Sequence, residues 1–300
     1  MRSLFPVLLF LVFIACDSKK PDQQAIIDKV QNEVMEEDLP EIHDDVINDI
    51  IQQIPSPLEI SVLLKEVGSK YDNDLLNPSE NISKYNSNFK KALNLGVYGT
   101  DLGYTNIYEH NQDALFYLDA IKTLAEDLSI GQFFDFGIIK RLAANSRNVD
   151  SLLLISTRNF NNINDYLQEQ RRSNLSVLFL TGGWLEALHI SCQVYAGNPG
   201  NVELQERIGE QKIILENILL LLSFYGKDDP NVKLLIGELK ELKKVFDLIE
   251  ITYTYKESTY DVVDGVLMIH DNSTSSINIT DEHLNDIIGI TGSIRNGIIS

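Results

Sequence analysis

The chain has 300 residues, 44% of them hydrophobic, a composition that suits a globular body and excludes a disordered one. Its 44 acidic and 25 basic residues give a formal net charge of −19, which argues against nucleic acid as a partner, because phosphate binding needs clustered Lys and Arg. The same acidity disfavours direct binding of the body to lipid headgroups.

The first residues have the three parts of a secretory signal. Arg2 supplies positive charge, Leu4 to Ile14 is an apolar run interrupted only by Pro6, and small Ala15 precedes Cys16. That run is shorter than the roughly 20 residues a membrane span needs, so a cleaved signal over 1–15 is the expected reading. Cysteine directly after the small residue marks a lipoprotein signal, since diacylglycerol transfer needs a thiolate nucleophile. Phe13-Ile14-Ala15-Cys16 is similar to a lipobox, with Phe13 where Leu is usual. The alternative is an ordinary signal with an incidental cysteine. The polar run Asp17 to Asp22 then reads as a flexible tether. Each buried methylene of an acyl chain contributes about 0.8 kcal/mol, so two or three chains on Cys16 would hold the protein at its membrane.

Residues 16–53 are expected to be a lipidated acidic tether with one or two short helices, and 54–300 a single helical domain. Ser56-Pro57-Leu58-Glu59 opens the first sharply punctuated helix, with a cap, a first-turn proline and a capping-box acid. Helices are predicted over about 82–96, 97–108, 112–128 and 133–144, then from Asn148 or Asp150 to Arg172. The next runs from Ser173 to Ala196 and stops at Gly197-Asn198-Pro199-Gly200. Two long helices, Val202–Tyr225 and Asn231–Tyr255, follow. Residues 258–279 allow a short β-hairpin and loop turning at Asp264-Gly265, and a glycine-weakened helix over 280–297 depends on docking. About nine helices joined by short connectors predict a mainly all-α fold, an irregular bundle or α/α array.

Neither a cysteine site nor a familiar catalytic or cofactor motif is present. With Cys16 acylated, Cys192 is the one remaining cysteine, which leaves no intrachain disulfide, and its apolar helix suits an inert core residue. There is no Gly-rich phosphate loop, no His-Glu-x-x-His and no nucleophile elbow, and five scattered histidines offer little to a metal. The expectation is therefore no metal and no cofactor.

Two glycine-bearing segments stand out. Gly96, Gly99 and Gly103 interleave with Tyr98, Asp101, Tyr104 and Tyr108, and at that spacing they let another backbone approach. Thr181 to His189 carries Gly182-Gly183 inside a strong helical pattern, a pair costing about 2 kcal/mol relative to alanines, which close packing or ligand access must offset. If the two segments meet, a pocket would gather Asp101, Tyr104, Tyr108, Glu186 and His189, able to hold a small polar ligand or do acid/base work. The plainer alternative is tight packing, with a Glu186–His189 hydrogen bond supporting the core.

Ile54-Pro55-Ser56-Pro57-Leu58-Glu59-Ile60, the run Asn88 to Tyr104 and Gly183-Trp184-Leu185-Glu186 resemble a family of uncharacterised lipoproteins of Gram-negative bacteria, over roughly residues 54–250. No activity comes with that resemblance; it implies an envelope lipoprotein. The expected function is a membrane-anchored, non-enzymatic binding or interaction module. Its partners would be the membrane through Cys16, and an envelope protein or a small polar ligand. The alternatives are an enzyme acting through Glu186 and His189, or a structural envelope component.

Overall fold

A computed structural model describes residues 44–54, 57–143, 149–263, 266–270 and 274–300. The signal, Cys16, the tether to residue 43, the caps at Ser56 and Asn148 and the turn at Asp264-Gly265 lie outside the described residues. What is described carries ten α-helices and four short strands, a mainly all-α fold.

The helices are α1 (Asp44–Gln52), α2 (Pro57–Glu66), α3 (Asn88–Ile107), α4 (Asn111–Asp127), α5 (Phe136–Ala143), α6 (Val149–Glu169), α7 (Ser173–Gly197), α8 (Val202–Ser223), α9 (Pro230–Phe246) and α10 (Asp281–Ile299). Local chemistry sets many of their starts. Ser87 accepts from the Lys90 N–H to open α3, and Asn201 accepts from Leu204 to open α8. Asp229 caps α9 with Pro230 in its first turn, and Thr280 and His283 form a reciprocal capping box on α10.

Three boundaries differ from expectation. The expected helices 82–96 and 97–108 are replaced by one continuous helix, α3, which starts only at Asn88 after a 3-10 turn over Ser79–Lys84 and runs through Gly96, on which α7 packs. The helix after Pro230 ends at Phe246, and Glu250–Thr254 is a strand (β1), as the β-branched and aromatic run Ile251-Thr252-Tyr253-Thr254 favours. The short helix α1 belongs to the body and not the tether, since Ile47 and Ile51 are buried in the main core.

The β region is a nest of two antiparallel pairs. β1 pairs with β4 (Thr274–Asn278) in the register Glu250↔Asn278, and inside that connection β2 (Thr259–Val263) pairs with β3 (Val266–His270), with Thr259↔His270. Its base is tied to α8: Ile277 packs on Gly209, Gln205 donates to the Ile279 carbonyl at 2.9 Å and Lys212 to Ile249 at 2.8 Å.

Helix α7 is the centre of the body, touching α2, α3, α6, α8 and α10. Among the described residues it is the one helix long and apolar enough to cross a membrane, yet 89% of its apolar window is buried inside the protein. A helix apolar on every side is a core helix when its neighbours surround it. Cys192 on α7 is fully buried, and burial pushes its thiol pKa up, away from reactivity.

Candidate functional site

The two glycine-bearing helices pack directly on each other. A Cβ built on Gly182 of α7 would lie 1.9 Å from the Leu93 carbonyl oxygen of α3, and one on Gly96 would lie 2.0 Å from the Phe179 carbonyl oxygen. The backbones are therefore in contact, and Thr100 donates across the seam to the Gly183 carbonyl at 2.9 Å. This contact offsets the propensity cost of glycine in both helices.

Beside that seam, three charged groups meet in the interior. Asp101 and Glu186 are fully buried and Arg295 of α10 is 6% exposed. The Arg295 guanidinium forks onto Glu186, Nε to Oε2 at 2.9 Å and Nη2 to Oε1 at 2.7 Å, and Nη2 also reaches the Leu75 carbonyl at 3.1 Å. Asp101 accepts from the Asn77 N–H at 3.2 Å through Oδ2, while its Oδ1 is buried without a hydrogen-bond partner. Burial, reinforced by the Glu186 carboxylate, holds the Asp101 pKa well above the usual carboxylate range, against the opposing pull of Arg295. The direction favours the neutral carboxyl of Asp101 beside the Glu186–Arg295 ion pair. Around it, Asn77 donates to Tyr85 at 2.9 Å and Asn94 to the Ile298 carbonyl at 3.0 Å, so the network locks α10 onto α3 and α7.

Glu186 is consequently not paired with His189, as the sequence reading had allowed, but with a guanidinium 109 residues away. His189 is 8% exposed, its Nδ1 has no partner, and desolvation lowers its pKa, so it is neutral. Tyr104 and Tyr108 belong elsewhere, to an aromatic stack with Tyr71 and His110. Ring centroids are 5.5 Å apart for Tyr71–Tyr104, 4.7 Å for Tyr104–Tyr108 and 3.6 Å for Tyr71–His110. The Tyr104 hydroxyl accepts from the Asp72 N–H, and burial pushes its pKa up to about 12. Tyr108 hydrogen-bonds Ser69. The structure therefore places Asp101 beside Glu186 and leaves Tyr104 and Tyr108 in a separate aromatic cluster.

The cavity lies on the other side of α3. It has a volume of about 550 Å³, and Gly96, Gly99, Gly103 and Gly183 form its floor. Leu102, Leu118, Ile121 and Ile163 are among its walls, and three phenylalanines, Phe134, Phe160 and Phe179, line it from different elements. Gln52, Thr157, Asn159 and Asn161 supply its polar atoms and are exposed or half-buried, which puts them at the mouth. Gly99 has no packing role of the Gly96 kind: a Cβ there would meet only the Phe179 ring edge, at 3.8 Å. Its missing side chain is part of the cavity. Sequence reasoning found these glycines but not the cavity or Arg295. The one arginine in an otherwise apolar face of the last helix was the available signal.

Among the described residues no group of three or more His, Cys, Asp or Glu side chains could hold a metal ion. Compared with protein-family models, characterised proteins and solved structures, the chain matches none.

The protonation of Asp101 has a testable consequence. A carboxyl whose folded pKa exceeds its unfolded value, near 3.8, favours the native state below that value. Its contribution is lost as pH rises towards the folded pKa, because the native state then keeps a proton the unfolded chain has released. Asparagine mimics the protonated acid without titrating. Asp101→Asn is expected to melt above the parent at pH 7, with the advantage shrinking towards pH 4. Equal destabilisation at both pH values in thermal melts would show Asp101 to be ionised in the fold.

Proposed function

We propose that this chain is a lipid-anchored, non-enzymatic binding module of the bacterial envelope, whose helical body holds a small apolar molecule. The observation that carries the reading is the cavity of about 550 Å³ beside the α3–α7 seam, a size within the usual range of about 300–1,000 Å³ for small-molecule sites. Its walls, with Leu102, Leu118, Ile121 and Ile163 among them, favour an apolar ligand over the small polar one suggested by Asp101 and the tyrosines. The acid/base alternative is weakened, since both Glu186 oxygens are held by Arg295 in the interior. Anchoring through Cys16 is supported by the charged, apolar and small-residue order of residues 2–16, and by the resemblance to envelope lipoproteins.

The full chain carrying Cys16→Ser, which removes the need for detergent, should bind the apolar fluorophore N-phenyl-1-naphthylamine saturably and one to one. Gly99→Leu fills the cavity without touching the helix seam, and is expected to abolish that binding with little change in melting temperature. Absent saturable binding, or binding unchanged in Gly99→Leu, overturns the reading. The anchor is checked on the unmutated chain: intact mass should show thioether-linked diacylglycerol on Cys16, and a free thiol there rules the anchor out.

A further inference from the structure

The cavity carries a cover of its own, an inference that rests on the reading of it as a binding site. Helix α1 contributes Ile51, Gln52 and Ile54 to the lining, and α6 contributes Thr157, Asn159 and Asn161. The polar residues of the mouth thus come from these two helices.

The same two helices are clasped to each other by side-chain amides. The Asn48 side-chain oxygen accepts from Asn164 at 2.6 Å and from Gln168 at 2.7 Å, and its nitrogen donates back to Gln168 at 3.4 Å. Asn48 and Gln52 stand at i and i+4 on α1, and Asn161, Asn164 and Gln168 at i, i+3 and i+7 on α6. Each set shares one helical face. One end of the α1–α6 seam is therefore an amide clasp, and the other end is the cavity mouth.

Helix α1 is built to come away as a unit. It has 9 residues, too few to stay helical alone in water, so it keeps its form only while docked. Pro55 and Pro57 follow it in the sequence and lack the N–H that would carry its helix on into α2. Its apolar grip rests on Ile47, Ile51 and Ile54. Asn48 and Gln168 are half-buried, and water replaces an amide–amide hydrogen bond at modest net cost. Breaking this clasp strands no charge, unlike breaking the Glu186–Arg295 pair. Short elements with few buried groups open well below the free energy of global unfolding.

We propose that α1 is the gate of the cavity: ligand enters and leaves as α1 detaches from α6, and the Asn48–Gln168 clasp is the latch. Detachment takes Ile51, Gln52 and Ile54 out of the lining together and joins the cavity to solvent. Asn48 and Gln168 are not lining residues, so they set the rate of exchange and not the affinity.

Hydrogen exchange on the Cys16→Ser full chain tests the opening without any ligand. The amides of 48–54 should exchange at least about 100-fold faster than those at the middle of α7, through an opening smaller than global unfolding. Equal protection of the two helices overturns the gate. Stopped-flow fluorescence with N-phenyl-1-naphthylamine tests the passage. Gln168→Ala removes two of the three clasp bonds and alters neither α1 nor the lining. Association and dissociation rates should both rise about two- to tenfold, the effect of about one net neutral hydrogen bond, while Kd holds within about twofold. Both rates unchanged, or dissociation alone faster with Kd weakened to match, makes α1 a fixed wall and overturns the gate. Failure of the fluorophore to bind at all counts against the cavity as a site, and the exchange result still decides whether α1 opens.

Discussion

Gly182→Ala should cost about 3 kcal/mol or more, an unusually large effect for adding one methyl group. Alanine is intrinsically better than glycine in a helix by about 1 kcal/mol, so propensity alone predicts stabilisation. The new Cβ, however, would sit 1.9 Å from the Leu93 carbonyl oxygen, 2.7 Å from its carbonyl carbon and 3.0 Å from its Cα. None of these is the movable end of a side chain. Helices α3 and α7 must separate along their whole contact, which loosens the layer that α2, α4, α6, α8 and α10 pack upon. Ordinary overpacking costs about 1–3 kcal/mol, and a backbone clash at the central seam belongs at or beyond the top of that range. At about 2–4 °C per kcal/mol for a domain approaching this size, melting should fall by at least roughly 6 °C. Gly99→Ala, four positions from Gly103 on the same helix, is the control. With only a ring edge at 3.8 Å it should hold or gain stability. If both alanine variants melt alike, the α3–α7 contact is looser than described.

Arg295→Met should be comparably damaging, for an electrostatic reason. Removing the guanidinium strands the Glu186 carboxylate at zero exposure, beside Asp101 and without its ion-pair partner. Breaking a buried pair from one side costs about 3–5 kcal/mol, although replacing both partners by apolar groups is often neutral. The double variant Arg295→Met with Glu186→Leu should therefore recover much of the loss, a non-additivity expected only of directly coupled groups. The damage should also be local at first. Helix α10 carries Gly289, Gly292 and Gly297, none with a neighbour that its missing Cβ would meet, so its intrinsic stability is poor. Its hold on the body includes Arg295 and the carbonyls of Ile298 and Ser300, which accept from Asn94 and Lys90. Hydrogen exchange in Arg295→Met should rise in 281–299 before it rises in α7. Protection of α10 equal to the parent's would show that apolar packing of Leu284, Ile287 and Ile294 holds it unaided.

The unexplained groups of the interior divide sensibly between structure and function. The Asp101–Glu186–Arg295 trio looks like machinery from its residue types, yet it is buried and its Glu186–Arg295 pair is tied to the last helix. Asn106 looks ordinary in the sequence, yet both ends of its buried amide are without a partner. Buried polar groups that are matched rigidify a fold; one that is unmatched asks for a partner.

Local rules determined much of this protein. Asn201, Asp229 with Pro230, and Thr280 announce their helices because capping and proline geometry act within four residues. Periodicity likewise placed the apolar stripes, and the glycines of α3 and α7 marked helices that approach closely. Spacing along one helix, however, cannot say which neighbour lies on which face. Gly96 and Gly99 look equivalent in the sequence; the tertiary structure gave one to a backbone contact and the other to a cavity. Glu186-x-x-His189 looked like a pair because i and i+3 share a face, whereas Arg295 arrives from 109 residues away by the docking of α10. Burial, charge pairing and enclosed space are properties of packed surfaces, and those exist only once distant segments have met.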